Sequence, residues 1–193
     1  MISDLLAAEI DGERLGLGDL LGFSALLLIA GNETTTNLIG NAILCFDERP
    51  EAMDRLRAEP ALMRTAIEEV LRYRSPVQAM FRTTVADTII GDQEIKVGST
   101  VLAYIGSANR DGDVFEIPEQ FDITRKPNRH IAFGYGIHRC LGAPLAHLEG
   151  RVALPMMLGR LAKIRRDRSV PLEPLDSGIL YGVKNLPITF VAA

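Results

Sequence analysis

Cysteine is scarce in this chain, with two among 193 residues, and one of them closes a glycine-rich run, Phe133-Gly134-Tyr135-Gly136-Ile137-His138-Arg139-Cys140-Leu141-Gly142. Turn-forming positions precede Cys140 and an apolar, helix-like stretch follows it. The start of a helix favours an anion and lowers the pKa of a thiol, so Cys140 is placed to be a thiolate. The other cysteine, Cys45, lies in Asn41-Ala42-Ile43-Leu44-Cys45-Phe46 and reads as a small buried hydrophobe. No secretory pattern accompanies the two thiols, so a disulfide scaffold is the poorer reading.

A thiolate at position 140 can be a nucleophile, a zinc ligand or an iron ligand. Nucleophilic catalysis needs a histidine base; His138 is near in sequence, but such partners usually come from elsewhere in a fold. Zinc needs about four ligands at familiar spacings, and His130, His138, Cys140 and His147 match no such pattern. One cysteine serving a haem iron needs no second protein ligand of its kind, which fits the count.

Two further stretches break their local rules. Ala30-Gly31-Asn32-Glu33-Thr34-Thr35-Thr36 interrupts an apolar helical pattern with a glycine, a charge and three β-branched hydroxyl residues. Glycine disfavours a helix interior by about 1 kcal/mol relative to alanine, and threonine hydroxyls bond back to carbonyls one turn earlier and bend the helix. A local opening beside a ligand accounts for this composition, with Gly31 admitting a bulky group and Glu33-Thr34 offering an acid beside a hydroxyl. The second stretch holds Glu69 and Arg72, whose spacing of three puts both on one helical face among Val70, Leu71 and Tyr73. The pair reads either as a surface ion pair or as a buried bidentate clamp.

The elements that must position these residues follow from periodicity. Residues 17 to about 46 predict one long helix, apolar almost all round in its first half and so expected to run through a core. A short amphipathic helix follows Glu48, and another begins near Pro60 and stops at Ser75-Pro76. Residues 82–106, rich in Val, Ile and Thr with glycine breaks, predict short strands and hairpins. Residues 109–129 read as an ordered loop. A helix is expected from about Cys140 to Lys163, with Pro144 in its first turn and a kink at Pro155, and residues 178–193 as a closing hairpin. The layout is mainly α with small β-sheets and no internal domain boundary.

Composition excludes several classes. Apolar residues make up 47% and charged residues 24%, ordinary for a soluble domain with a real core. The net charge of −4 argues against a nucleic-acid binder. The longest apolar run, residues 20–30, is too short to span a bilayer, and the acidic start lacks a signal-peptide plan. A cytoplasmic location is the expectation.

Taken in order and spacing, these motifs resemble the cytochrome P450 family. The run 133–142 resembles its haem-binding loop, Ala30 to Thr35 its oxygen-activation stretch, and Glu69-Val70-Leu71-Arg72 its E-x-x-R signature. Pro118-Glu119-Gln120-Phe121-Asp122 resembles the loop motif that follows, and the wording is most similar to soluble bacterial members. The resemblance implies the later half of that fold: long central helix, E-x-x-R helix, β-hairpins, Cys-loop and following helix. On this view residues 1–193 are the haem-binding C-terminal portion of a single domain, and the helices of an N-terminal half are absent. The chain is then a fragment of a longer protein or a truncated gene product.

The resemblance also implies roles. Cys140 would be the thiolate ligand of haem b (iron protoporphyrin IX), with Phe133, Gly134 and Gly142 shaping its loop. His138 and Arg82 would bind the haem propionates, and Ala30 and Gly31 would let the helix approach the distal face. Glu33 and Thr34 would pass protons to bound oxygen, and Glu69 and Arg72 would hold the fold around the loop. Val77, Gln78, Ala79, Met80 and Leu180 match segments lining the substrate pocket. The implied activity is monooxygenation: one atom of O2 enters a small apolar organic substrate, with electrons from a ferredoxin or a flavoprotein reductase. Arg125, Arg129 and Arg139 are candidate docking cations. The alternative is a non-catalytic remnant that binds haem weakly or not at all; a haem-thiolate isomerase is disfavoured by the acid–alcohol pair. The sequence departs from the family at Gln120, where an arginine usually completes the Glu-Arg clamp and for which Arg125 and Arg129 are the candidate substitutes, at Gly112 for a proline, at His147 for an arginine, and at Asp47-Glu48, where the helix end is commonly apolar.

Overall fold

The computed structural model describes residues 2–192. Helix α1 (Ile2–Ala7) and the small hairpin β1 (Glu9–Ile10) and β2 (Glu13–Arg14) lead into α2 (Leu17–Glu48), a single helix of 32 residues. Helices α3 (Pro50–Ala58) and α4 (Met63–Tyr73) follow, joined by a 3-10 turn over Pro60–Leu62. Proline at the first position of α3 needs no intrahelical donor there, and Arg55 and Arg57 complement its carboxyl end.

The segment rich in β-branched residues forms β3 (Ala79–Thr83), β4 (Thr88–Ile90), β5 (Gln93–Ile95) and β6 (Thr100–Tyr104), then the short helix α5 (Ile105–Ala108). Strand β3 pairs antiparallel with β6, setting Arg82 opposite Val101, and β4 pairs with β5. A long irregular stretch then reaches α6 (Ala143–Arg160), β7 (Leu161–Arg166) and β8 (Ile188–Ala192), which also pair antiparallel. The fold is thus mainly helical with four two-stranded sheets among the described residues.

The core lies where α2, α3, α4 and α6 meet. Leu38, Ala42 and Phe46 from α2 pack with Ile67 and Val70 from α4 and Leu154 from α6, all 1% exposed or less. Residues spaced by three and four on each helix make these faces, which is why the short helices read correctly from period alone. Cys45 is fully buried in this cluster, and desolvation pushes its thiol up to about 12, against opposing attraction from Arg74.

Three expectations are corrected. The first half of α2 does not run through a core: Leu17 is 73% exposed and Leu28 76%, and the buried residues of the helix begin at Asn37. Apolar composition demands a covering surface, and α1 supplies only a small part of one, leaving Leu20, Phe23 and Leu27 half-buried. The last long helix begins at Ala143, not Cys140, and ends at Arg160, where β7 takes over residues expected to be helical. Residues 178–192 do not fold as a hairpin on themselves. Their end pairs with β7, Leu180 bridges to Val77 and Val183 to Pro174; Ala193 lies outside the described residues.

Asp47 explains the charged end of α2. It is 5% exposed, accepts the backbone N–H of Arg166 at 3.0 Å and the Arg168 guanidinium at 2.9 Å, and so ties the helix to β7.

Candidate functional site

The Glu69–Arg72 pair is buried, not superficial. Arg72 donates from Nε and Nη2 to the two carboxylate oxygens of Glu69 at 2.8 Å each, and both side chains are fully shielded from solvent. Its other donors reach the carbonyls of Asn109 (3.0 Å), Pro118 (2.8 Å) and Gln120 (2.9 Å). Five donor hydrogens therefore meet five acceptors, the full capacity of a guanidinium. Gln120 contributes its carbonyl, while Arg125 brings the second cation: its Nε lies 3.3 Å from Glu69, and its Nη groups hold the carbonyls of Glu116, Ile117 and Gln120. Asn128 donates to Glu69 Oε2 at 3.1 Å, and the Asp122 N–H to Oε1 at 2.8 Å. The clamp is complete without an arginine at 120, and Arg125 is thereby removed from the candidate docking cations.

This clamp fixes the irregular stretch leading to the cysteine. Asn109, fully buried, donates to Ser75 Oγ at 2.8 Å and accepts the N–H of Ile131 at 2.8 Å. From there the chain enters the loop, where Gly134 (φ 71°) and Gly136 (φ 65°) take left-handed conformations that other residues adopt only with strain. A Cβ on Gly134 would also stand 3.3 Å from the His138 carbonyl. The Cys140 N–H donates to the Phe133 carbonyl at 2.8 Å, and Gly142 caps α6. The loop thus presents an exposed thiol just before the helix.

The thiol faces an apolar cleft of about 480 Å³, a size suited to a small-molecule or cofactor site. One wall is α2, through Ala30, Thr34 and Leu38; another is β3, through Met80 and Arg82; Phe133, Gly134, His138 and Cys140 come from the loop. Thr34 Oγ donates to the Ala30 carbonyl at 2.7 Å, and Thr36 to that of Asn32 at 2.9 Å. The hydroxyls bond back while α2 stays helical throughout.

The structure thus brings together Ala30, Thr34, Val77, Met80, Arg82, Phe133, Gly134, His138 and Cys140. It leaves the others outside this lining. Glu33 is exposed beside Thr34, and Gly31 has open space where a Cβ would be. Gln78 donates to the Ser75 carbonyl at 2.6 Å, and Ala79 is fully buried. Leu180 bridges to Val77, and Gly142 sits behind Cys140, where its missing Cβ would be 3.8 Å from the sulfur. Sequence reasoning missed Ala103 and Ile105, which also line the cleft. The two-residue alternation of strands was the signal that could have found Ala103, paired with Met80 across β3 and β6.

Comparison with known proteins gives the family. The sequence profile of cytochrome P450 matches residues 1–187. The chain belongs to the cytochrome P450 family. It is 46% identical over 188 residues to the putative cytochrome P450 YjiB of Bacillus subtilis, covering 97% of this chain and 47% of that protein. With the erythromycin C-12 hydroxylase of Saccharopolyspora erythraea it shares 40% over 190 residues, covering 97% and 48%. The crystal structure of substrate-free CYP109E1 from Bacillus megaterium superposes with a TM-score of 0.95 at 47% identity, over 99% of this chain and 50% of that one. The chain spans about half the length of the curated relatives it matches. Among the described residues no helix is long and apolar enough to cross a membrane.

Members of the cytochrome P450 family bind haem b, and the residues present fit that group. No cluster of three or more histidine, cysteine or acidic residues capable of holding a metal exists among the described residues. A lone exposed sulfur in an apolar cleft would suit a haem iron, which needs one protein thiolate, and Arg82 and His138 would offer partners to the haem carboxylates.

Proposed function

We propose that this chain is the haem-binding portion, over residues 1–193, of one cytochrome P450 domain that works as a haem-thiolate monooxygenase. It would insert one atom of O2 into an apolar organic substrate. The observation carrying this reading is the convergence of Cys140 and Thr34 on one apolar cleft. Cys140 would ligate the iron, and Arg82 and His138 would bind the propionates. The bound haem supplies oxygen activation, which no side chain here can supply.

The chain's own residues bind, orient and move protons. Thr34 Oγ, one helical turn from the Ala30 carbonyl it donates to, can hold a proton at the cleft wall. Glu33, exposed beside it, can replenish that proton from water. Val77, Met80 and Ile105 exclude water and give the substrate an apolar surface. The related CYP109E1 has been seen with testosterone and with corticosterone, which supports an apolar substrate class. The exposed apolar face of α2 would be covered by the remainder of the domain. Electrons would come from a ferredoxin or flavoprotein, for which the exposed Arg129 and Arg139 offer a cationic surface.

The test is the spectrum of the haem-loaded chain, reduced and exposed to carbon monoxide. The expected result is the far-red-shifted Soret band of thiolate ligation, lost in Cys140→Ser. A chain that takes up no haem, or whose band survives that substitution, refutes the reading.

A further inference from the structure

Below the Cys-loop lies a cluster that the proposed chemistry does not use. Glu68 is half-buried on α4 and meets two imidazoles: His130 Nε2 at 2.9 Å and His147 Nε2 at 3.0 Å. The ring of Phe133 packs on both, its centroid 4.9 Å from that of His147 and 6.5 Å from that of His130. Three segments distant in sequence, α4, the loop entrance and α6, therefore converge on one aromatic ring.

The backbone decides where the protons sit. The Ala132 N–H donates to His130 Nδ1 at 3.2 Å, so that ring carries its hydrogen on Nε2 and gives it to Glu68. His147 Nδ1 lies 2.7 Å from the Ala143 carbonyl, which can only accept, so Nδ1 holds a hydrogen. The His147 Nε2 is buried, and its approach to Glu68 lies off the line of a directed hydrogen bond. A neutral ring would there set a lone pair against a carboxylate. Only the imidazolium makes the contact attractive.

We propose that Glu68 and protonated His147 position the thiolate loop, bracing Phe133 through a charge-dependent contact. The same Phe133 offers its carbonyl to the Cys140 N–H at 2.8 Å, so ring and sulfur share one short piece of backbone. The charged groups around His147 are Arg64 and Glu68 from α4, Arg139 from the loop, and Arg151 from α6, all lining one crevice of about 320 Å³, with His130 on the far side of Glu68. Among the described residues Glu68 is the sole acidic side chain lining that crevice, which it shares with three arginines and His147. Burial pushes its carboxyl up, but the His130 hydrogen bond and the His147 charge outweigh that and hold it below the ordinary carboxylate value. A carboxylate lowered on folding stabilises above its unfolded value and loses that contribution on acidification. The brace therefore weakens as acid protonates Glu68.

The inference rests on reading Cys140 as the thiolate ligand, but its test needs no haem. Hydrogen exchange at the Cys140 amide is measured in the 193-residue chain, with the Arg74 amide, bonded to the Val70 carbonyl at 2.8 Å, as internal reference. After correction for intrinsic exchange, Cys140 protection at about pH 6 should fall about tenfold in His147→Gln relative to the parent, while Arg74 stays constant. Glu68→Gln should lose the same protection, and His147→Arg, which puts a permanent charge there, should retain it. The proposal is overturned if His147→Gln exchanges like the parent, if Cys140 and Arg74 lose protection equally, or if His147→Arg is as unprotected as His147→Gln. Failure of haem ligation would show instead in the carbon monoxide spectrum, with these exchange rates unmoved.

Discussion

Replacing Arg72 by lysine separates charge from geometry in the clamp. The substitution keeps a cation beside Glu69 but reduces five donors in a planar fork to three on a flexible stem. Five acceptors converge here: two oxygens of Glu69 and the carbonyls of Asn109, Pro118 and Gln120. Glu69 and the Gln120 carbonyl keep donors from Asp122, Arg125 and Asn128, but the carbonyls of Asn109 and Pro118 depend on the fork and would lose their donor in a site where Arg72 is 1% exposed. Each buried unsatisfied acceptor costs about 1–3 kcal/mol, so the loss should be about 3 kcal/mol, a large part of the about 5–15 kcal/mol that holds a domain together. The assay is urea denaturation followed by helical circular dichroism, comparing Arg72→Lys with Arg55→Lys, whose pair with Glu59 is half-exposed. The second should shift stability by less than about 0.5 kcal/mol. A loss below about 1 kcal/mol for Arg72→Lys would refute the claim that the fork, not merely the charge, is what the buried loop requires.

In the native chain a thiol reagent near pH 8 should label Cys140 alone, and both cysteines in denaturant, because burial holds Cys45 neutral up to about 12. The same burial predicts loss of stability as pH rises above about 8.5, where an unfolded cysteine ionises and the folded one does not; a melting temperature flat to strongly alkaline pH would contradict it. Thr34→Ala should uncouple electron consumption from product formation in a reconstituted system, and unchanged coupling would remove Thr34 from proton delivery. Arg139→Glu should slow electron transfer from an acidic donor with steep salt dependence, and an unchanged rate would remove Arg139 from the docking surface.

What was legible in the sequence was mostly which residues stand out by type. Cys140, Glu69-Arg72 and Thr34 each violate what their neighbours prescribe, and a violation is readable without knowing the fold. Whether Glu69 and Arg72 were superficial or buried was not readable. That depended on the carbonyls of 109, 118 and 120, supplied by irregular backbone that periodicity does not describe. For the same reason the sequence left the compensation for Gln120 open between Arg125 and Arg129: Arg125 reaches Glu69 only because the chain turns between them. The end of α6 was misplaced because residues 161–166 carry no period strong enough to oppose pairing with β8, a strand more than 20 residues away.

The exposed half of α2 shows how the remaining half can still hold a site. The helix is anchored by its later turns: Asn41 Nδ2 donates to the carbonyls of Arg74 and Tyr181, each at 3.1 Å, and Asp47 holds β7. Arg74 directly follows α4, the helix that carries Glu69 and Arg72, and Tyr181 adjoins Leu180, which bridges to Val77 at the foot of β3. Two walls of the cleft and the clamp under the Cys-loop are therefore joined through one amide. Thr34 stands only seven residues, about two turns, before that anchor, so its place in the cleft is set from the buried end of the helix and does not require the exposed end. That coupling lets the stretch Ala30 to Thr36, just before the anchored turns, keep a defined position on the cleft that Cys140 also lines.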